Sequence, residues 1–280
     1  GFHVIDLDYC QHPDYNDPTW VADQRRNLGE KGFLQEIMRE FLGSGSTYFS
    51  SEIIQVLHEQ TSHSPPAKKK YREFVNKSGR IAALDNEDKR GALWIWKEPV
   101  EGHEYLFGVD VSEGQGEKND SSVFQVIDLG TMEQVAEFYS NVIPIHIFAD
   151  LLSQVATYYN TAIVVVESNG PGPAVLDRLQ HTLYYENIFF SGDKPGIRTT
   201  QGNRSQFLQA FQNRLIDNSM RVNSIRLVTE MHTFEYNPVT KKAQAQIGAH
   251  DDAIMAMCVA LYVINTLNRD VPVGADAPKL

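Results

Sequence analysis

The sequence has 280 residues, a hydrophobic content of 42% and a formal net charge of −11, which together predict a soluble globular protein with a full core. Cys10 and Cys258 have neither metal-ligand nor disulfide-framework spacing and are expected to be reduced, intracellular thiols. The longest apolar run, residues 253–264, is too short to cross a bilayer. The acidic charge does not exclude a nucleic-acid partner, because residues 61–99 carry nine Lys/Arg against five Asp/Glu.

The first 60 residues are predicted to form a separate unit. A strand at 2–6 precedes a Pro- and Asp-rich loop, and Asp17 or Thr19 is suited to cap a following helix. A second helix is predicted from Gly32 to Phe41. Residues 61–79, which contain Ser-Pro-Pro and three consecutive lysines, have the composition of a linker.

From residue 80 onward the pattern is that of a mixed sheet. Residues 80–84 and 92–96 flank a turn, as in a hairpin. Short polar turns join the next three predicted strands, which should form an antiparallel meander at residues 105–111, 121–128 and 134–139. A helix, a strand, a helix and a short strand follow, which implies parallel pairing. They are predicted at residues 144–160, 162–167, 171–181 and 187–190.

The remaining elements alternate between helix and strand. They are predicted as helices at 205–218, 227–236 and 251–267 and as strands at 220–222 and 242–246. An antiparallel meander followed by parallel strands that alternate with helices predicts an α/β fold with helices flanking the sheet.

Acidic residues follow two of the predicted strands and begin the last helix. Asp110 ends the strand that starts at Tyr105, and Glu167 ends the apolar run before it. A carboxylate at the end of a buried strand needs a partner, and parallel neighbouring strands would deliver both carboxylates to one edge of the sheet. Asp251 and Asp252 open the last helix. Each acid alone suits a strand end or a helix cap, but together they favour a metal site.

Either Asp251 or Asp252 could be the third metal-binding acid. Helical spacing places Asp251 on the predicted core stripe, which is formed by Ile254, Cys258, Leu261 and Asn265. Asp252 falls about 100° around the helix. We therefore expect Asp251 to be the direct ligand and Asp252 to support it. Asp120 opens the strand that pairs with the Asp110 strand and is a further candidate ligand, although a turn residue is an equally good interpretation.

Clustered carboxylates repel one another and need cations, and hard oxygen ligands suit Mg²⁺ or Mn²⁺. Two such ions roughly 3.5–4 Å apart are the arrangement that supports in-line phosphoryl displacement. Asp110, the central acid, is expected to lie between the two ions. Lys194, Arg198 and Arg204 lie in or next to a Gly-rich loop and are predicted DNA-backbone contacts, with a solvated loop as the equally good alternative.

With these residues in place, the chain resembles the large terminase subunit of tailed bacteriophages. The similarity covers residues 100–267 and is carried by Gly108–Gly114 (GVDVSEG), Val164–Gly170 (VVVESNG) and Gly248–Met255 (GAHDDAIM). Gly196-Ile-Arg-Thr-Thr200, followed by Arg204, resembles the segment that the family has between its second and third acids. The resemblance implies an RNase H-like nuclease whose metal-binding acids are Asp110, Glu167 and the Asp251–Asp252 pair.

The same resemblance implies a function and partners. It implies a metal-dependent endonuclease that cuts concatemeric double-stranded viral DNA during packaging, in the cytoplasm of the infected bacterium, with portal and small terminase subunit as partners of the full-length protein. Residues 1–60 resemble the end of the family's ATPase motor domain. The sequence contains no Gly-x-x-x-x-Gly-Lys-Ser/Thr motif, so no ATPase activity is expected from this fragment. The implied domain map is a motor remnant at 1–60, a linker at 61–79, the nuclease at 80–270 and a tail at 271–280.

Two other functions remain open at the level of sequence. An actin-like or sugar-kinase-like ATPase also has an Asp at a strand end, but such a site needs a Gly-Thr phosphate turn, and Ser-Glu-Gly follows Val111 instead. A DNA-clamping or portal-docking module without catalysis would not require the acids, so their presence at all three positions counts against it.

Overall fold

A computed structural model describes residues 17, 19–24, 26, 47–71, 74–75, 87–113, 120–237 and 239–267. Other predicted features lie outside these residues: the strand at 2–6, Cys10, the helix at 32–41, the hairpin strand at 80–84 and the tail at 271–280. Residues 19–24 are helical. None of the described helices is both long and apolar enough to cross a membrane.

The described part of the chain contains a six-stranded sheet, two small two-stranded sheets and flanking helices. The longer helices are α1 (Ser51–Ser62), α2 (Ile145–Tyr158), α3 (Gly172–His181), α4 (Arg204–Ile216), α5 (Ile225–His232) and α6 (Asp252–Thr266). The strands of the main sheet are β1 (Lys68–Lys70), β2 (Leu93–Ile95), β3 (Tyr105–Asp110), β4 (Ser122–Asp128), β5 (Glu133–Ser140) and β6 (Ile163–Val166). The small sheets pair β7 (Phe190–Ser191) with β8 (Lys194–Pro195) and β9 (Phe234–Tyr236) with β10 (Ala243–Ala245).

The strand order of the main sheet is β1-β2-β5-β4-β3-β6. The predicted antiparallel meander is confirmed as β3, β4 and β5, and β6 pairs parallel to β3. The strand predicted at 187–190 joins the main sheet by a parallel bridge from Ile188 to Val164, and its Phe190 begins β7. The predicted mixed α/β sheet with flanking helices is therefore confirmed.

The alternating side chains of β3 divide the core into two halves. Tyr105, Phe107 and Val109 point toward α2 and α3, where they join one buried cluster. Leu106 points to the opposite face and packs with α1, α4, α5 and α6. Because side chains alternate along a strand, Gly108 and Asp110 also belong to the face that α6 covers.

Helix α6 is buried on nearly all sides, so the predicted single core stripe is wrong. Every residue from Asp252 to Leu261 is buried, since the helix lies between the sheet and the helices α4 and α5. A helix that is apolar all round is typical of such an enclosed position. Spacing along the sequence therefore could not decide which side of α6 faces the sheet.

Residues 47–70 belong to the same packed body as the sheet, contrary to the prediction of a separate unit followed by a linker. Ile54 and Leu57 of α1 lie in the same core half as α5 and α6. Lys68–Lys70, predicted as linker, form β1 and pair antiparallel with β2. Apolar spacing in α1 requires a partner surface, and α5 provides it. The other boundaries of the domain map remain predictions.

The helix predicted at 227–236 is shorter than expected. Ser224 caps α5 by accepting a hydrogen bond from the Leu227 N–H at 3.2 Å, and the helix ends at His232. Phe234 then begins β9, and its ring is part of the buried cluster on this face of the sheet. The strand predicted at 220–222 is limited to one bridge between Glu133 and Arg221.

Candidate metal centre

Asp110 and Glu167 lie next to each other at one end of the main sheet. The parallel register pairs Val109 with Val166, and the Glu167 N–H donates to the Val109 carbonyl at 2.9 Å. Neighbouring strands are about 4.8 Å apart, so the two acids leave the sheet side by side. The sequence-based expectation that both emerge at one edge is confirmed.

The N-terminus of α6 brings further acids to this edge. The charges of Glu167, Asp252 and Asp251, in that order, act on Asp110 and raise its pKa well above its usual range, although burial contributes most. Three segments that are distant in sequence therefore place their acids within electrostatic reach of one another. Their mutual repulsion favours a bound cation.

Asp252, which was predicted only to support Asp251, lies deeper in the protein than Asp251 does. It is buried, and its Oδ2 accepts a hydrogen bond from the Ser121 N–H at 2.7 Å, which connects α6 to the start of β4. Burial raises the pKa of Asp252 to about 7. Asp251 precedes the helix and has φ −130°, so the 100° rotation used to rank the two residues does not apply to it.

Asp120 and His250 lie on the outer side of Asp252. His250 Nδ1 is 3.1 Å from Asp120 Oδ1 and 4.0 Å from Asp252 Oδ2. One ligand atom from each of these three side chains lies within 4.8 Å of the others, which is compact enough for a shared ion. Asp120 thus lies near Asp252 and His250, and its role as a ligand remains a prediction.

Asp251 is held by Arg204 rather than by the sheet. The Nη2 of Arg204 donates to Asp251 Oδ2 at 2.7 Å, and its Nη1 contacts the Met255 sulfur at 2.9 Å. Arg204 was predicted to contact DNA phosphates. Its Nη2 and Nη1 are engaged with Asp251 and Met255, so only its remaining N–H groups are available to a phosphate in this position.

Glu167 is oriented by a neighbour that the sequence did not single out. Asn169 Nδ2 donates to Glu167 Oε1 and to the Thr199 carbonyl, both at 2.8 Å. Burial raises the pKa of Glu167, while Thr199, the charge of Arg204 and Asn169 lower it. The position of Asn169, two residues after a strand-end acid, was the available signal.

Glu230 is a second residue that sequence reasoning missed. It is buried on α5, where its carboxyl accepts hydrogen bonds from the Tyr139 hydroxyl at 2.9 Å and from the Ile254 N–H at 3.1 Å. Burial raises the pKa of Glu230 to about 8. The helical spacing that puts Glu230 on the same face as Leu227 could have identified it as a buried acid.

The two other predicted DNA contacts lie on exposed segments. Lys194 is exposed at the start of β8, and Arg198 is exposed one residue after Ile197, which bridges to Glu167. Arg198 lines a groove of about 670 Å³ that begins beside Glu167. The other residues along this groove are Ser168, Asn169, Gly170, Thr199, Thr200 and Gln201.

The donor atoms of this centre fit hard divalent cations. The acids around Asp110 supply carboxylate oxygens, which Mg²⁺ and Mn²⁺ prefer, and the only imidazole near them belongs to His250, among the described residues. Burial and, after it, repulsion by the neighbouring acids raise the pKa of Asp110. A divalent ion would relieve that repulsion.

No protein-family model matches the chain. Its structure is similar to the large terminase nuclease from thermophilic phage G20c with bound magnesium, with 21% identity over 62% of this chain and 88% of the other, at a TM-score of 0.53. The same nuclease with bound cobalt gives equal values. The large terminase nuclease domain of Thermus phage P74-26 is 21% identical over 62% of this chain and 86% of the other, at a TM-score of 0.50. This chain therefore has the fold of large terminase nuclease domains from phages. The predicted RNase H-like fold is confirmed.

Proposed function

We propose that this protein is a metal-dependent endonuclease that hydrolyses phosphodiester bonds of double-stranded viral DNA during genome packaging. The observation that carries the proposal is the register of β3 and β6, which places Asp110 beside Glu167, with the acids of α6 facing them. The similar nuclease structures with bound magnesium or cobalt support it.

The acids of the centre would hold two divalent cations, Mg²⁺ or Mn²⁺. Asp110, the central acid, would hold these cations together with Glu167, Asp251 and Asp252. Asp120 is an additional candidate at the exposed side. When bound, the cations would supply a Lewis acid for the phosphate and an activated water, as in other two-metal phosphodiesterases.

The chain's own residues position this chemistry. Asn169 restrains Glu167, and the Ser121 N–H restrains Asp252, so the acids do not have to be ordered when DNA arrives. The proposed phosphate contacts are Arg198, which lines the groove that starts at Ser168, and Lys194, which is exposed on β8. Portal and small terminase subunit are the proposed partners, and the infected bacterial cytoplasm is the proposed site of action.

Nicking of supercoiled plasmid DNA in the presence of Mn²⁺ tests the proposal. The wild-type protein should convert supercoiled DNA to nicked and linear forms, and Asp110→Asn should reduce the rate by about 10³-fold, since the central ligand contributes several kcal/mol of charge stabilisation. The matched control is Asp177→Asn, an exposed acid on α3, which should retain the wild-type rate.

Three results would contradict the proposal. Nicking that survives Asp110→Asn would place the activity elsewhere. ATP hydrolysis without nicking would favour the kinase-like alternative, and DNA binding that needs no metal, without cleavage, would favour a clamping module.

A further inference from the structure

We propose that Arg204 is a built-in counter-ion that competes with a divalent cation for Asp251. A metal ion that takes Asp251 as a ligand must share its carboxylate with the Arg204 guanidinium or displace that guanidinium. The inference rests on the proposed function, since it assigns a role to a residue of the same centre. The inference implies that the cation position at Asp251 has the lower affinity and that Arg204 sets this affinity.

The geometry of Arg204 directs it into the acid cluster rather than toward solvent. It is the first residue of α4, and its side chain is 30% exposed. Its guanidinium lies along the first turn of α6, because it contacts both Asp251, at 2.7 Å, and the Met255 sulfur, at 2.9 Å. Helices α4 and α6 pack closely together, so this position is supported by the core.

The positive charge of Arg204 also reaches a second acid of the centre. It lowers the pKa of Glu167, against the effect of burial. The largest charge effects on Asp110 are all repulsive and come from Glu167, Asp252 and Asp251. Arg204 therefore neutralises the side formed by Asp251 and Glu167, while Asp110 and Asp252 face mainly other acids.

This uneven distribution of charge predicts two unequal cation positions. Asp252 accepts its hydrogen bond from the neutral Ser121 N–H at 2.7 Å, so a cation between Asp110 and Asp252 does not compete with an arginine. The position that uses Asp251 already has a cation in hydrogen-bond contact. A divalent ion there gains a carboxylate ligand and breaks an ion pair, so its net affinity is lower.

Another arginine pair in the same molecule provides a matched comparison. Arg178 on α3 donates to both carboxylate oxygens of Asp150 on α2, at 2.6 and 3.0 Å, with a side-chain exposure of 31%. This pair joins two helices on the opposite face of the sheet from α6. It has nearly the exposure of the Arg204 pair and belongs to no acid cluster around Asp110.

The test measures Mn²⁺ binding to the whole chain without DNA, by titration calorimetry and by the rise in melting temperature over an EDTA control. Arg204→Met should lower the melting temperature in EDTA, because Asp251 loses its partner. The same variant should bind the weaker Mn²⁺ ion about tenfold more tightly, because a positive charge a few ångströms from the site is removed. The melting-temperature rise with Mn²⁺ should therefore exceed that of the wild type.

Two control variants separate competition from loss of packing. Arg178→Met should also lower the melting temperature in EDTA but leave the Mn²⁺ affinity and the Mn²⁺-induced rise at the wild-type values. Arg204→Lys keeps the positive charge, so its Mn²⁺ affinity should stay within about threefold of the wild type.

The outcomes distinguish this inference from the proposed function. An Arg204→Met variant with unchanged or weaker Mn²⁺ binding overturns the counter-ion role, provided that the wild type binds Mn²⁺ and loses that binding in Asp110→Asn. Wild-type protein that shows no Mn²⁺ binding dependent on Asp110 overturns the proposed function itself.

Discussion

At the scale of single residues, burial raises the pKa of two acids near β3. Asp252 and Glu230 are both buried and both have raised pKa values, of about 7 and about 8. They differ in position, since Asp252 faces Asp110, whereas Glu230 lies behind it and connects α5 to α6 and β5. Glu230 is thus suited to hold the start of α6 in place as a neutral carboxyl group.

Glu230 should make the stability of the protein depend on pH. Its pKa is higher in the folded protein, about 8, than the ordinary value of 4.5, so the folded state binds more protons between these values. The unfolding free energy should therefore fall as pH rises from about 4.5 to about 8. In Glu230→Gln this fall should be smaller, by on the order of 2 kcal/mol, in urea unfolding between pH 5.5 and 8.5 with EDTA.

The comparison with wild type isolates Glu230 from the other titrating acids. Glutamine keeps an acceptor for the Ile254 N–H and carries no proton that titrates in this range. Glu186→Gln, an exposed change, should reproduce the wild-type slope. Equal slopes for wild type and Glu230→Gln would show that Glu230 is already ionised at neutral pH.

At the scale of elements, the contact between β3 and α6 decides where the acids meet. Gly108 lies on the α6 side of β3, and a Cβ atom there would lie 2.1 Å from the Ala256 carbonyl oxygen and 2.6 Å from the Ala260 Cβ. Only glycine permits this close approach. The approach in turn brings Asp252 within reach of Asp110, two residues along the same strand.

Gly108→Ala should therefore push α6 away from the sheet. Since the clash involves backbone and a methyl group with no free rotamer, we expect a loss of about 1–3 kcal/mol in urea unfolding. Mn²⁺ affinity should fall as well, because the acids of α6 move from Asp110. The control is Gly202→Ala, where the new Cβ would be 3.7 Å from its nearest neighbour. A Gly108→Ala protein with unchanged Mn²⁺ affinity would contradict this role of the contact.

At the scale of the whole molecule, α1 packs into the core that lies beside the main sheet. Leu57 is 7% exposed and lies in the core half that contains α5 and α6. Gln60 adds a hydrogen bond from its side chain to the Val222 carbonyl at 3.3 Å. A nuclease fragment that begins at residue 80 would thus lack one helix of its own core and the edge strand β1.

Leu57→Ala tests whether α1 unfolds together with the sheet. We expect a loss of about 2–5 kcal/mol in a single urea transition, because a buried leucine leaves a cavity. Val56→Ala, at a side chain that is 41% exposed, should cost far less. If Leu57→Ala gives the wild-type transition, or a separate early transition for α1, the helix is independent of the nuclease core.

The strand and helix positions of the main acids were determined by the sequence itself. The apolar runs that lead to Asp110 and Glu167 indicate both the strand and the residue near which it ends. The observed strands β3 and β6 agree with these predictions. The helix between strand 162–167 and the strand at 187–190 also predicted their parallel pairing, which in the structure is the bridge between Val164 and Ile188. These are local patterns, in which burial is recorded by the spacing of apolar side chains.

Tertiary structure alone decided the partners of the acids. Arg204 is 47 residues from Asp251, and nothing in its own segment distinguishes it from Arg198, which is exposed. The ranking of Asp251 over Asp252 depended on a helical rotation that does not extend to Asp251. Local spacing specifies which side chains are buried, whereas charge pairing depends on which helices pack together, and that is a property of the folded chain only.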